Sequence, residues 1–107
     1  MSFYIKQNDT VPSLRAALEN GSGTAVDLTG ATCQFHMRSI GATTVTVDAT
    51  AQIVNEATGI VQYNWVADDT DTVGSYQAEF EVTYSDGTIE TFPNNGYIRI
   101  EITDDIT

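Results

Sequence analysis

The nine residues from Tyr76 to Tyr84 alternate without error between apolar and polar side chains. Successive side chains of a β-strand point to opposite faces, so this run predicts an antiparallel strand with one buried and one exposed face. The outward residues are then Gln77, Glu79, Glu81 and Thr83. The Asp86-Gly87 pair that follows accepts positive φ angles and predicts a hairpin with a type I′ turn.

The same two-residue period recurs along the chain between short turn signals. Cys33, Phe35 and Met37 alternate with polar neighbours, and so do the three isoleucines of segment 98–102. Segment 14–18 fits either a strand or a short helix, because its apolar residues satisfy both periods. The glycine-rich turn after it favours the strand. This repetition of short strands predicts an all-β antiparallel sandwich of about seven to nine strands.

Length and composition predict one domain, residues 1–107, because 107 residues are too few for two independent cores. Cys33 is the single cysteine, so no internal disulfide is expected. The first ten residues lack the basic and apolar regions of a secretory signal, and no apolar run is long enough to span a membrane. We expect synthesis in the cytoplasm of a host cell, with no cofactor.

Negative charge is concentrated in the second half of the chain. Residues 1–53 hold four acids and three bases, whereas residues 54–107 hold eleven acids and one base, which gives net charges of −1 and −10. Such a field repels phosphate groups, so nucleic acids and anionic membranes are poor partners. The acidity either keeps an assembling protein in solution or attracts a partner with a basic surface.

Enzyme chemistry finds little support. Cys33 and His36 lie three residues apart on one predicted strand, so their side chains point to opposite faces and cannot form a nucleophile–base pair. Asp68, Asp69 and Asp71 offer carboxylate ligands for calcium, but without the spacing of an EF-hand. Capping of loop amides is the commoner role for aspartates in such a loop, and we favour it over a metal site.

Aromatic residues suggest two kinds of surface. Tyr63, Trp65 and Tyr97 could stack on a sugar ring, but Tyr63 and Trp65 share an apolar face with Val61, so core packing is favoured for them. Tyr4 and Tyr97 lie among polar neighbours and are predicted to be exposed contact residues of a protein interface.

The run from Asp71 to Ala78 resembles the tyrosine corner of immunoglobulin-like domains. In that motif a tyrosine two residues before an inward strand position bonds back to the preceding loop, and Tyr76 occupies that place here. Ala78 stands where antibody domains carry a disulfide cysteine, and Trp65 falls on a different strand from the antibody tryptophan. The resemblance implies an immunoglobulin-like sandwich without the antibody markers.

A second resemblance covers nearly the whole chain. The opening FYIKQNDTVPSLRAAL, the central VDLTGATCQFHMR and the run from TGIVQYNW to GYIRIEI are similar to the N-terminal domain of phage baseplate upper proteins. The resemblance implies a virion protein that docks on the phage tail. In that family a linker and a platform for receptor-binding proteins follow this domain, whereas this sequence ends at Thr107. A tail, neck or capsid-decorating subunit is therefore an equal expectation.

We therefore predict a non-enzymatic structural protein of the phage virion, which assembles with other phage proteins and with copies of itself. The alternative is an adhesion module that binds carbohydrate or protein on the host surface. The predicted interface residues are Tyr4, Lys6, Glu79, Glu81, Tyr97 and Arg99. Arg99 is expected to lie across from Glu79 or Glu81 on a neighbouring strand.

Overall fold

A computed structural model of the chain describes residues 2–106, and in this range it contains nine β-strands and no helix. The strands are β1 (Ser2–Lys6), β2 (Leu14–Ala17), β3 (Thr32–Ser39), β4 (Val47–Thr50), β5 (Gln52–Asn55), β6 (Ile60–Tyr63), β7 (Gly74–Thr83), β8 (Ile89–Phe92) and β9 (Ile98–Thr103). The all-β prediction is confirmed, and segment 14–18 contributes a strand rather than a helix. None of the described residues forms a helix long and apolar enough to cross a membrane.

The strands form a sandwich of two sheets. The larger sheet has the order β1-β9-β7-β3-β4, and β8 also pairs with β7. The smaller sheet has the order β2-β6-β5. The segment between β3 and β6, which is rich in Thr, Val and Ala, therefore divides between the sheets: β4 belongs to the larger one and β5 to the smaller one, with the buried Ala51 between them.

β7 is the central strand of the larger sheet and is the strand with perfect alternation. It pairs with β3 along one edge, while β9 and β8 share its other edge, β9 beside residues 74–78 and β8 beside residues 80–83. Every second residue of β7 from Tyr76 to Val82 is buried, as the alternation predicts. The antiparallel prediction is wrong at one edge, because β1 pairs parallel with β9.

Aromatic side chains fill the space between the sheets. Phe35 of β3 stacks on Tyr63 of β6 at a centroid distance of 4.3 Å and 14° between ring planes. Trp65 packs edge-on against both rings, and the ring centroids of Phe80, in β7, and Phe35 are 5.2 Å apart. All four are buried, so the prediction that Tyr63 and Trp65 belong to the core is confirmed.

The tyrosine corner is present. Tyr76 is buried, and its hydroxyl donates a hydrogen bond of 2.6 Å to the carbonyl oxygen of Thr72 in the loop before β7. Burial, and secondarily the nearby Asp71 carboxylate, raises the pKa of the Tyr76 hydroxyl. The phenol therefore stays protonated and keeps its donor role.

The hairpin between β7 and β8 forms at Asp86-Gly87, but with a different turn from the one predicted. Gly87 has a φ of 89°, whereas Asp86 is not among the residues with positive φ, so a type I′ turn is excluded. The Gly87 amide bonds back to Tyr84, and the Asp86 carboxylate accepts bonds from the amide and hydroxyl of Thr88. This pattern is a type I turn followed by a glycine bulge.

Candidate functional site

The side chains of the larger sheet that point away from the smaller one form a broad polar surface, called the outer face below. Its strand residues include Tyr4 and Lys6 of β1, Arg99 and Glu101 of β9, Gln77, Glu79 and Glu81 of β7, His36 and Arg38 of β3, and Asp48 of β4. Five of the six predicted interface residues thus lie on strands of one face. The sixth, Tyr97, lies in the loop before β9 and reaches this face from its side.

Tyr97 and Arg38 meet on the outer face. The Arg38 guanidinium carbon lies 5.8 Å from the centroid of the Tyr97 ring, which is within the range of a cation–π contact. Arg38 also donates to the Gln77 side chain at 3.4 Å. Both contacts hold the guanidinium against the sheet surface, although Tyr97 is itself 48% exposed.

His36 lies between two carboxylates that come from neighbouring strands. Its Nε2 is 3.3 Å from Asp48 Oδ1, and its Nδ1 is 3.6 Å from Glu79 Oε1. The cause is the strand register, because β3 places His36 opposite Asp48 on one side and opposite Glu79 on the other. The alternation along β3 predicts that His36 lies on the polar face, but it does not reveal this cluster, since the register joins residues far apart in the chain.

A hollow of about 280 Å³ opens on the outer face between β4, β7 and the loop before β9. His36, Arg38, Asp48, Glu79 and Tyr97 contribute to its lining. The hollow therefore combines one cation, two carboxylates, one imidazole and one aromatic ring, which suits it to a polar side chain or another small polar group.

The expected position of Arg99 opposite Glu79 or Glu81 is wrong. β9 pairs only with residues 74–78 of β7, so Arg99 lies opposite Gln77. The Arg99 Nε donates instead to Glu101 on its own strand at 2.5 Å. Hydrogen bonds from Ser75 and then from Arg99 lower the pKa of the Glu101 carboxyl.

Comparison with known proteins gives a family for this chain. The profile of the BppU N-terminal domain, the N-terminal domain of the phage baseplate upper protein, matches residues 3–105. The chain belongs to this family. Membership implies a structural protein of the phage baseplate and thus a component of the virion. The suspected resemblance is confirmed.

Solved structures share the fold of this BppU N-terminal domain. One is titled the crystal structure of CopC from Methylosinus trichosporium OB3b, with a TM-score of 0.54 and 16% sequence identity over 97% of this chain and 85% of the other. At this identity the likeness concerns the fold alone. No curated protein matches the sequence.

Asp69, in the loop before β7, holds the loop itself in this family member. The Asp69 carboxylate accepts a hydrogen bond from the Tyr63 hydroxyl at 2.5 Å and one from the Val66 amide at 2.9 Å. Asp68 and Asp71 are exposed, and no group of three or more metal-binding side chains occurs in residues 2–106. Asp69 thus fits the capping role.

Cys33 and His36 point to opposite sides of β3, as predicted. Cys33 is buried in the core, and burial raises the pKa of its thiol to about 12. The protonated thiol is a poor nucleophile, because the thiolate is the reactive form.

Charge is distributed differently in space than along the chain. The strands of the outer face carry four acids (Asp48, Glu79, Glu81, Glu101) and three bases (Lys6, Arg38, Arg99), a net charge of −1. The other eleven of the fifteen acids, with Arg15 as the remaining base, lie elsewhere, a net charge of −10. The outer face is therefore the nearly balanced surface of a strongly acidic protein.

Proposed function

We propose that this BppU N-terminal domain is a non-enzymatic assembly module, and that its outer face binds another structural protein of the baseplate. The observation that carries the proposal is the gathering of Tyr4, Lys6, Glu79, Glu81, Tyr97 and Arg99 around one sheet surface. Exposed aromatic and arginine side chains are enriched at protein interfaces, where they supply contact area and directed hydrogen bonds.

The two tyrosines give this surface its anchors. Tyr4 is 67% exposed and Tyr97 is 48% exposed, so both rings have apolar area to bury against a partner. Tyr97 is already oriented by Arg38. A ring held in place loses less conformational entropy on binding than a free one, which favours Tyr97 as an anchor.

Charge indicates the kind of partner. The whole chain has a formal charge of −11, so it attracts a basic protein over a distance, while the nearly balanced outer face permits close contact. Glu79 and Glu81 point outward from the central strand and are available to basic side chains of the partner. We therefore expect a partner with a net positive charge that places basic side chains opposite Glu79 and Glu81.

Assembly of phage particles in the presence of variant chains tests the proposal. Tyr4→Ala, Tyr97→Ala and Glu79→Lys should each lower the amount of chain per purified particle by about tenfold, which corresponds to a loss of about 1.4 kcal/mol. Incorporation is measured by quantitative immunoblot against the capsid protein. Matched controls are Val54→Ala, on β5 of the smaller sheet, and Glu56→Lys, which makes the same charge change near that sheet.

Normal incorporation of all three outer-face variants, in chains that melt like the wild type, would refute the proposal.

The hollow beside Tyr97 supports one second candidate, adhesion to a polar group of a host-surface carbohydrate or protein. Retention of the isolated chain on a host-glycan array, lost in Tyr97→Ala, would favour adhesion over assembly.

A further inference from the structure

β2 is an edge strand of the smaller sheet, and its outer edge is open. β2 pairs with β6 alone, in antiparallel register, with Ala16 opposite Val61. Just beyond the strand, the Leu18 amide donates to the Gly59 carbonyl oxygen at 2.8 Å. Hydrogen-bonded and non-bonded pairs alternate in an antiparallel ladder. The backbone N–H and C=O groups that point towards β6 are therefore those of Leu14, Ala16 and Leu18.

It follows that Arg15, Ala17 and Glu19 direct their N–H and C=O groups away from β6. Within residues 2–106 these groups make no backbone hydrogen bond across the outer edge. Their side chains are exposed on the outer side of the smaller sheet, where the Arg15 guanidinium donates to the Gln62 side chain of β6. The edge thus offers three donors and three acceptors in the spacing that an added strand requires.

The edge strands β5, β4 and β1 are less suited to adding a strand. β5 has an irregular register between Ile53 and Asn55, and irregularities of this kind disturb edge pairing. β4 carries Asp48 and β1 carries Lys6, and neither strand has a residue of opposite charge two or four positions away with which a second copy could pair it. A charge without such a partner on an edge strand is a common protection against pairing.

A groove of about 310 Å³ lies beside β2. It is bounded by Ala16 to Glu19 on one side and by the loop from Phe92 to Ile98 on the other. The loop before β9 is thus separated from this part of β2 by open space. Tyr97, which also borders the hollow of the outer face, lies at this groove.

We propose that this edge binds the same edge of a second copy of the chain, with the two β2 strands antiparallel and Ala17 opposite Ala17 of the other copy. In that register Arg15 of each copy lies opposite Glu19 of the other, so a two-fold axis creates two cross-strand ion pairs. The outward backbone groups at all three positions then find partners, which gives roughly six new hydrogen bonds.

Charge complementarity selects a second copy as the occupant. Shifting the register by two residues removes both ion pairs, so only pairing centred on Ala17 matches every charge on the edge. The −11 charge of each chain opposes dimer formation, but the Debye length is about 8 Å at physiological ionic strength, so charges far from the edge are largely screened. The inference rests on the proposed assembly function only in one respect, namely that the dimer is part of the virion.

Sedimentation velocity of the purified chain at physiological ionic strength tests the proposal. The wild type should form a concentration-dependent dimer. Ala17→Pro removes the central outward N–H without touching the bonds to β6, and should abolish the dimer at the same concentrations while the chain stays folded by circular dichroism.

Charge exchange tests the register. Arg15→Glu and Glu19→Arg should each weaken the dimer by about tenfold or more, because each places like charges opposite each other twice. The double variant should regain the wild-type dissociation constant. Asp68→Arg makes the same charge change as Glu19→Arg in an exposed loop and should not weaken the dimer.

A wild-type chain that stays monomeric up to millimolar concentration overturns the inference. So does a dimer that survives Ala17→Pro, or a double variant no better than the single ones. The inference and the proposed function fail separately: Tyr4→Ala leaves the β2 dimer intact, and the dimer is measured without any other virion protein.

Discussion

Replacing Tyr76 by phenylalanine isolates the contribution of the tyrosine corner to stability. Tyr76→Phe keeps the buried ring and removes only the hydroxyl that donates to the Thr72 carbonyl oxygen at 2.6 Å. A hydrogen bond of this kind contributes about 0.5 to 1.5 kcal/mol net, and a buried acceptor left without a donor adds to the loss. Thr72 is exposed, so water can replace the lost donor in part.

We therefore expect the free energy of unfolding to fall by about 1 to 1.5 kcal/mol. Unfolding entropy near 60 °C is about 2.1 cal/mol/K per residue, or about 0.22 kcal/mol/K for this chain, so the midpoint should fall by about 4 to 7 °C. Differential scanning calorimetry gives the midpoint, and urea unfolding gives the free energy.

Tyr4→Phe is the matched control, because Tyr4 is 67% exposed and makes no side-chain hydrogen bond within residues 2–106. It should change the free energy of unfolding by less than about 0.5 kcal/mol. If Tyr76→Phe unfolds at the same temperature as Tyr4→Phe, the corner holds the loop by packing alone and the hydrogen-bond argument is refuted.

Three further predictions follow from backbone geometry and from buried ionisable groups. Gly59→Ala places a Cβ 2.8 Å from the carbonyl oxygens of Leu18 and Val26 at a φ of 69°, and should lower the free energy of unfolding by at least about 2 kcal/mol in chemical denaturation. Gly41→Ala should cost less, because Gly41 also has a positive φ but a Cβ there would meet nothing within 4 Å. Burial and then Glu90 raise the pKa of Tyr84 to about 12, so the folded state holds this proton more tightly than the unfolded state does. The stability that this group contributes is complete below about pH 10 and should be lost as the pH rises towards 12. Thermal melts at a series of pH values should show this decline, and it should be smaller in Tyr84→Phe. Cys33 should resist iodoacetamide in the native chain at neutral pH and react after unfolding in urea, and labelling of the native chain at the rate of a free thiol would contradict its placement in the core.

Sequence by itself determined the local features of this protein. The alternation of β7 predicts which of its side chains are buried, because a side-chain period of two is a property of each strand alone. Asp86-Gly87 likewise places the hairpin, and the spacing of Tyr76 from its loop predicts the tyrosine corner, since each depends on a few neighbouring residues.

Tertiary structure alone decided which strands are neighbours, and with that the candidate site. Arg99 faces Gln77 rather than Glu79 because β8 and β9 divide one edge of β7 between them, which local patterns do not encode. The same register brings His36 between carboxylates of two other strands. The edge of β2 is open because β1, which precedes it in the chain, pairs with β9 in the other sheet. Strand order depends on the closure of long loops and on the packing of the whole core, so contacts between distant residues appear only once the sheets have formed.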